Sequence, residues 1–175
     1  MSTTKLKRKL QAIFMNTTPK GETETYSLVG VNVSDLSIAY NSQTVTEQDI
    51  VSDTAQIEVT GYQPNAAITQ QATKGDPVYD FINTLRRNRA ILQDAHTDIV
   101  LVDLYELKDE ETPDVYVAEK QGVSIQIDTY GGAGTEPLSI GYTINFRGDA
   151  VKGSFNASTK IFTEDGDEDE DEDAN

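Results

Sequence analysis

The chain has no cysteine and a single histidine in 175 residues. Without cysteine there is no disulfide framework and no thiolate metal site, and the composition agrees with synthesis in a reducing cytosol. One histidine, His96, leaves too few soft ligands for most transition-metal cages. A nucleophile–histidine–acid triad would have to use it. His96-Thr97-Asp98 reads more simply as an ordinary strand start. No Gly-x-Ser-x-Gly elbow occurs. No apolar run reaches the length of a membrane-spanning helix. Lys5, Lys7, Arg8 and Lys9 precede only Leu10, Ala12, Ile13, Phe14 and Met15, so the expectation is no signal peptide. Basic residues are scarce, 14 against 30 acids for a net charge of −16. That argues against a blanket affinity for nucleic acid through a basic surface.

The acids are unevenly placed. Nine of the 30 lie in the last twelve residues, Glu164 to Asn175, leaving a net of −7 elsewhere. That segment has nothing apolar to bury and like charges throughout, so 164–175 is expected to be a tail outside a folded domain of 1–163. It does not match a calcium loop, which needs alternating acids, a glycine and a distant glutamate. Gly131-Gly132-Ala133-Gly134 lies between two strand patterns and has no P-loop lysine, so it reads as a hairpin loop. No cofactor is implied, no metal site, and no catalytic constellation.

One helix stands out. Val78, Phe81, Ile82 and Leu85 fall at i, i+3, i+4 and i+7, a single apolar stripe that predicts packing on a sheet. Asp76 sits at the N-cap and Pro77 at the first helical position. Tyr79, Asp80, Asn83, Arg86 and Arg87 are read as facing outward. Arg86, Arg87 and Arg89 suit salt bridges or the negative end of the helix better than a phosphate site.

The rest reads as strands. Lys5–Met15, Thr23–Val33, 34–40, Gln56–Gln63, Ala66–Ala72, His96–Leu107, Asp114–Ala118, Gly122–Tyr130, Leu138–Arg147 and Val151–Thr163 carry alternating or β-branched patterns. Ile99-Val100-Leu101-Val102 predicts burial on both faces. Asn41–Thr54 sustains neither period and reads as a long excursion, a length that usually has work to do. The fold class expected is mainly β with one α-helix, two packed antiparallel sheets in a sandwich or barrel-like arrangement.

The order of these elements resembles the tail tube protein (major tail protein) of long-tailed bacteriophages. Gly75–Ala90 running into Thr97–Tyr105 is similar to the helix-then-strand core of such proteins from phages of Gram-positive bacteria. Gly141–Asp149, Val151-Lys152-Gly153 and Thr159–Thr163 resemble their closing strands. The likeness covers about residues 5 to 163, and the acidic tail stands outside it.

The resemblance implies a structural subunit of a virion, made in the host bacterial cytoplasm. Its rings, hexameric in the family, stack into a tube, and inner sheets join into a β-barrel around a lumen that conducts DNA. Ring closure uses sheet edges that would otherwise invite uncontrolled pairing. Tape measure, tail terminator and baseplate proteins are the implied partners, with no membrane and no sequence-specific DNA contact. The family's long loop into the adjacent ring would fall on Asn41–Thr54, with Asn41, Gln43, Val45, Glu47, Asp49 and Ile50 as contact residues. Glu58 and Asp128 are candidate lumen charges, since acids repel phosphate. Alternatives are a tube or connector subunit of a related contractile injection device, or a β-sandwich binding module using Tyr62, Tyr130 and Tyr142 as stacking platforms.

Overall fold

The computed structural model describes residues 5–51 and 53–166. A short 3-10 turn at Arg8–Leu10 leads into β1 (Gln11–Asn16) and β2 (Tyr26–Leu28). β3 (Gln43–Glu47) and β4 (Gln56–Gly61) form a separate two-stranded sheet. β5 (Asn65–Gln71) precedes α1 (Pro77–Asn88). A second 3-10 turn, Leu92–Ala95, opens β6 (His96–Leu107). β7 (Val115–Gly131), β8 (Ser139–Asn156) and β9 (Ile161–Glu164) complete the chain. The main sheet has the order β2-β1-β6-β7-β8-β5, with β9 beside β8, and all pairings are antiparallel.

This sheet nearly closes into a barrel. After β2 the chain leaves β1 and crosses toward β5. Val29 N–H donates to the Ile13 carbonyl at 2.8 Å, and Gln71 N–H donates to the Asn32 carbonyl at 3.1 Å. Val33 bridges Gln70, and Ala39 bridges Asn65. Residues 29–40 therefore span the gap between β1 and β5 with single bridges instead of a ladder. This is why the expected strands at Thr23–Val33 and 34–40 shrink to Tyr26–Leu28.

Two cores result. The larger gathers Ile13, Met15, Ile68, Ile99, Val123, Ile125, Ile140, Tyr142 and Ile144 around Val78, Tyr79, Ile82 and Leu85 of α1. The smaller gathers Ala12, Phe14, Tyr26, Val100, Val102, Ala118 and Phe155. Ile13 and Phe14 go to different cores because successive side chains on a strand point to opposite faces. Ile99-Val100-Leu101-Val102 divides in the same way, so its unbroken apolar run reflects burial on both faces.

β7 and β8 are long strands serving both cores, each where the sequence reading has two. The breaks it places mark irregularities. The β7–β8 register shifts between Lys120 and Gly122, where Gln121 is buried and its side-chain amide donates to the Arg147 carbonyl at 2.6 Å. Gly148 lies at φ 65° opposite this point. A bulge of this kind bends a strand while pairing resumes beyond it.

The helix begins where the sequence places it. Asp76 Oδ2 accepts from Tyr79 N–H at 3.1 Å and from Gln70 Nε2 at 2.7 Å. Arg89 ends the helix in the left-handed conformation, its N–H bonded to the Arg86 and Leu85 carbonyls. Val78, Ile82 and Leu85 are buried, and Phe81 packs half-buried against the same core. Tyr79, read as outward-facing, is buried.

Candidate assembly surfaces

The residues assigned to the long excursion form half of a projecting hairpin, and this corrects the reading of Asn41–Thr54 as irregular. Gln43–Glu47 is a strand, paired with β4 through Thr44–Val59, Val45–Glu58 and Thr46–Ile57. Its Thr-Val-Thr run has strand propensity. Every β3 residue is exposed, however. In it only Thr44-Val45-Thr46 alternates, too short a run to mark a strand.

This arm carries exposed apolar side chains. Ile50 and Val51 at the tip are 104% and 90% exposed, and Ile57 and Val59 are 70% and 55% exposed. Exposed aliphatic surface concentrated on a two-stranded ribbon makes the arm a candidate contact surface. A lone hairpin is itself marginal in water. Asn41, Gln43, Val45, Glu47, Asp49 and Ile50 all lie on the arm or at its base. At the base, Asn41 Nδ2 donates to the Gln63 carbonyl at 3.0 Å, and Tyr40 meets Tyr62 edge to face at 6.2 Å. These contacts set the arm's exit from β5.

The outer face of β5, β8 and β7, opposite the helix, is a second surface. It presents Ala67 and Thr69, Thr143 and Asn145, Ser124, Gln126 and Asp128. Asp128 is exposed and accepts from Gln126 Nε2 at 2.6 Å and from Thr143 Oγ1 at 2.7 Å. Glu58 lies instead on the arm, so the two acids named as lumen candidates sit on separate sheets.

A register shift between Ile127 and Thr129 turns the end of β7 over. Tyr130 thereby pairs with the core residue Ile140 and faces the helix side instead of following Asp128 outward. The Arg86 guanidinium lies 3.8 Å from the Tyr130 ring centroid, and its Nε donates to Asn83 Oδ1 at 2.9 Å. The neighbouring Tyr130 hydroxyl, with burial, raises the Tyr79 pKa above that of a free phenol. Arg86 is thus a stacking partner, and no ion pair involves Arg86, Arg87 or Arg89 among the described residues. The bulge that brings Tyr130 under Arg86 leaves no trace in the sequence pattern.

The stacking platforms of a binding module do not come together. Tyr142 is 1% exposed, and burial lifts its phenol pKa well above the usual range. Tyr130 lies under Arg86, and Tyr62 lies at the arm base. His96 is half-buried at the start of β6, paired with Ser124. Among the described residues no group of three or more His, Cys, Asp or Glu is placed to hold a metal.

The end of the fold falls slightly later than composition suggests. Glu164 closes β9 opposite Gly153. Asp165 N–H donates to the Lys152 carbonyl at 3.1 Å, and its carboxylate meets Lys108 Nζ at 2.6 Å. These two acids belong to the domain, while 167–175, most of the acidic tail, lie outside the described residues.

No protein-family model matches the sequence, and neither does any curated protein. Among solved structures, the chain is similar to a chain of the tail of an empty GTA particle determined with C6 symmetry. That match has a TM-score of 0.56 and 12% identity over 85% of this chain and 98% of that one. It shows a shared fold. A sheath/tube terminator of an extracellular contractile injection system, PVC, aligns with a TM-score of 0.48 and 12% identity over 87% of this chain and 99% of that one. The tube terminating cap of the anti-feeding prophage aligns with a TM-score of 0.47 and 12% identity over 87% and 93%.

Proposed function

We propose that this chain is a structural subunit of a phage-type tail tube, assembling into rings that stack along one axis around a lumen through which DNA passes. The observation that carries the reading is the arm: a solvent-exposed hairpin with exposed aliphatic side chains at its tip and along β4. It projects from a nearly closed barrel. A surface of this kind gains stability only by docking. The fold likeness to a tail chain arranged with C6 symmetry supports the same reading and makes six the expected ring number.

In this reading the outer face of β5, β8 and β7 lines the lumen. Threonine, serine, asparagine and glutamine there offer no cationic grip on phosphate, and Asp128 adds repulsion. Asn41, Gln43, Val45, Glu47, Asp49 and Ile50 make the contact between rings, and Glu58 goes with them on the arm. The domain is 1–166, and the acidic residues beyond it guard against premature self-association by mutual repulsion. Tape measure, terminator and baseplate proteins are the expected partners, the virion is the expected location, and no catalysis is expected.

The test is negative-stain electron microscopy of the concentrated protein, full-length and shortened to 1–166. Stacked rings or hollow striated tubes are the expected product, in greater yield after shortening. Monomers in both samples at every concentration would count against the tube. A single capped ring that never extends would favour a connector or terminator role.

A further inference from the structure

The strand directions put two complementary features at opposite ends of the barrel. Four antiparallel pairings separate β1 from β5, so these strands run the same way. The arm joins the barrel at the start of β5. The 17–21 loop leaves the end of β1, and Ile91–Ala95 enters the antiparallel β6 at that same end. Between that loop and the C-terminal turn of α1 lies a groove of about 760 Å³.

The groove and the arm match in chemistry. Phe81, Leu85, Ala90 and Ile91 give the groove an apolar lining, with Ile91 70% exposed. Lys20 and Arg89 stand in its wall. Lys20 pairs with Asp94, whereas Arg89 makes no ion pair among the described residues. From Asn41 to Gln63 the chain has four acids, Glu47, Asp49, Asp53 and Glu58, and no lysine or arginine. An acidic ribbon tipped with Ile50 and Val51 thus stands at one end of the barrel, and an apolar slot walled by Arg89 and the Lys20–Asp94 pair at the other.

We propose that the occupant of this groove is the arm of a second copy of this chain, an inference that rests on the tube reading. Ile50 and Val51 enter the slot, and Asp49 and Asp53 approach Arg89 and Lys20. Because arm and groove lie at opposite ends of the subunit, the contact is head-to-tail and propagates without closing on itself. A second groove of about 580 Å³, lined by Arg8, Phe14, Leu28 and Leu36, lies at the arm's own end of the barrel. It would make a closed pair instead of a stack.

The absence of native cysteine makes the test direct. Full-length protein carrying Val51→Cys with Asn88→Cys, Asn88 being an exposed groove residue, is allowed to self-associate, oxidised and run on a non-reducing gel. The expected result is a ladder of multimers beyond the dimer. Val51→Cys with Leu28→Cys, which probes the other groove and would trap a closed dimer, should give no disulfide-linked species. In parallel, Arg89→Glu should raise the concentration needed for self-association at least about tenfold, and adding Asp49→Arg should restore most of it. A thermal melt shows whether each variant is folded. Tubes of the Val51→Cys, Asn88→Cys variant that give no ladder on oxidation, or a disulfide-linked dimer through Leu28→Cys, would overturn the groove assignment while leaving the tube intact. Failure of the unmodified chain to associate at all would overturn the tube reading, and the groove with it.

Discussion

Asp76 is a single residue on which helix start and barrel closure both depend. Its Oδ2 accepts from Tyr79 N–H and from Gln70 Nε2. Gln70 is itself 1% exposed, and the same amide reaches the Val31 carbonyl at 3.1 Å in the segment that closes the sheet. Asp76→Ala removes an N-cap, which costs about 1 kcal/mol. It also takes one of two acceptors from the buried Gln70 Nε2, which costs roughly 1–2 kcal/mol more. The expected loss is about 2–3 kcal/mol, read as a lower urea midpoint at unchanged m-value. For a domain of this size that corresponds to a fall in Tm of about 5–10 °C. Asp76→Asn keeps an oxygen that caps and accepts, so it should lose under about 1 kcal/mol. If Asp76→Ala unfolds within about 0.5 kcal/mol of the parent, or if Asp76→Asn is equally damaging, the reasoning fails. In the second case charge, not hydrogen bonding, would be the operative property.

Other perturbations test other parts of the fold. A Cβ added at Gly153 would lie 2.6 Å from Phe162 Cζ and would also collide with the Thr163 carbonyl. Gly153→Ala should therefore displace β9 and cost about 1–3 kcal/mol in a denaturant melt. Phe155 is fully buried, with its ring 4.6 Å from that of Phe14, so Phe155→Ala should cost about 3–5 kcal/mol. The Lys120 ammonium, 2.8 Å away, holds the Glu24 carboxyl below the usual 4.5. The folded-state value is thus the lower one, so the contribution is fully present above pH 4.5, declines below it and is lost as pH falls through the lowered folded-state value. Lys120→Met should accordingly lose about 0.2–1 kcal/mol at pH 7, and that deficit should vanish in urea melts at the lowest pH where the fold persists. A glutamate-specific protease should cut after Glu47 in the isolated subunit, whose arm is exposed, and be blocked in assembled particles.

The sequence was most informative where one side of an element is buried. The stripe of Val78, Ile82 and Leu85, the cap at Asp76, and the doubly buried run at Ile99–Val102 each leave a periodic or positional mark, because a core demands apolar residues at fixed intervals. Only half of the arm was legible: Ile57 and Val59 marked β4 although it is exposed, whereas in β3 only Thr44-Val45-Thr46 alternates, too short a run to mark a strand. Tyr79 misled because a phenol can bury its ring while its hydroxyl lies near another polar group, here Tyr130. The separation of Glu58 from Asp128 was equally invisible, since sheet membership is set by long-range pairing and not by local pattern. Bulges at Gln121 and near Asp128 were half-legible. The first coincides with a break in the strand pattern, whereas the second silently reverses which side Tyr130 faces.

The most direct test of the account is a cryo-electron microscopy reconstruction of particles assembled from residues 1–166. The account predicts a hollow tube of stacked rings in which the β5–β8–β7 face, with Thr69, Thr143 and Asp128, surrounds the lumen and each arm enters the neighbouring ring. Assemblies with that face turned outward, or arms folded back on their own subunit, would contradict it.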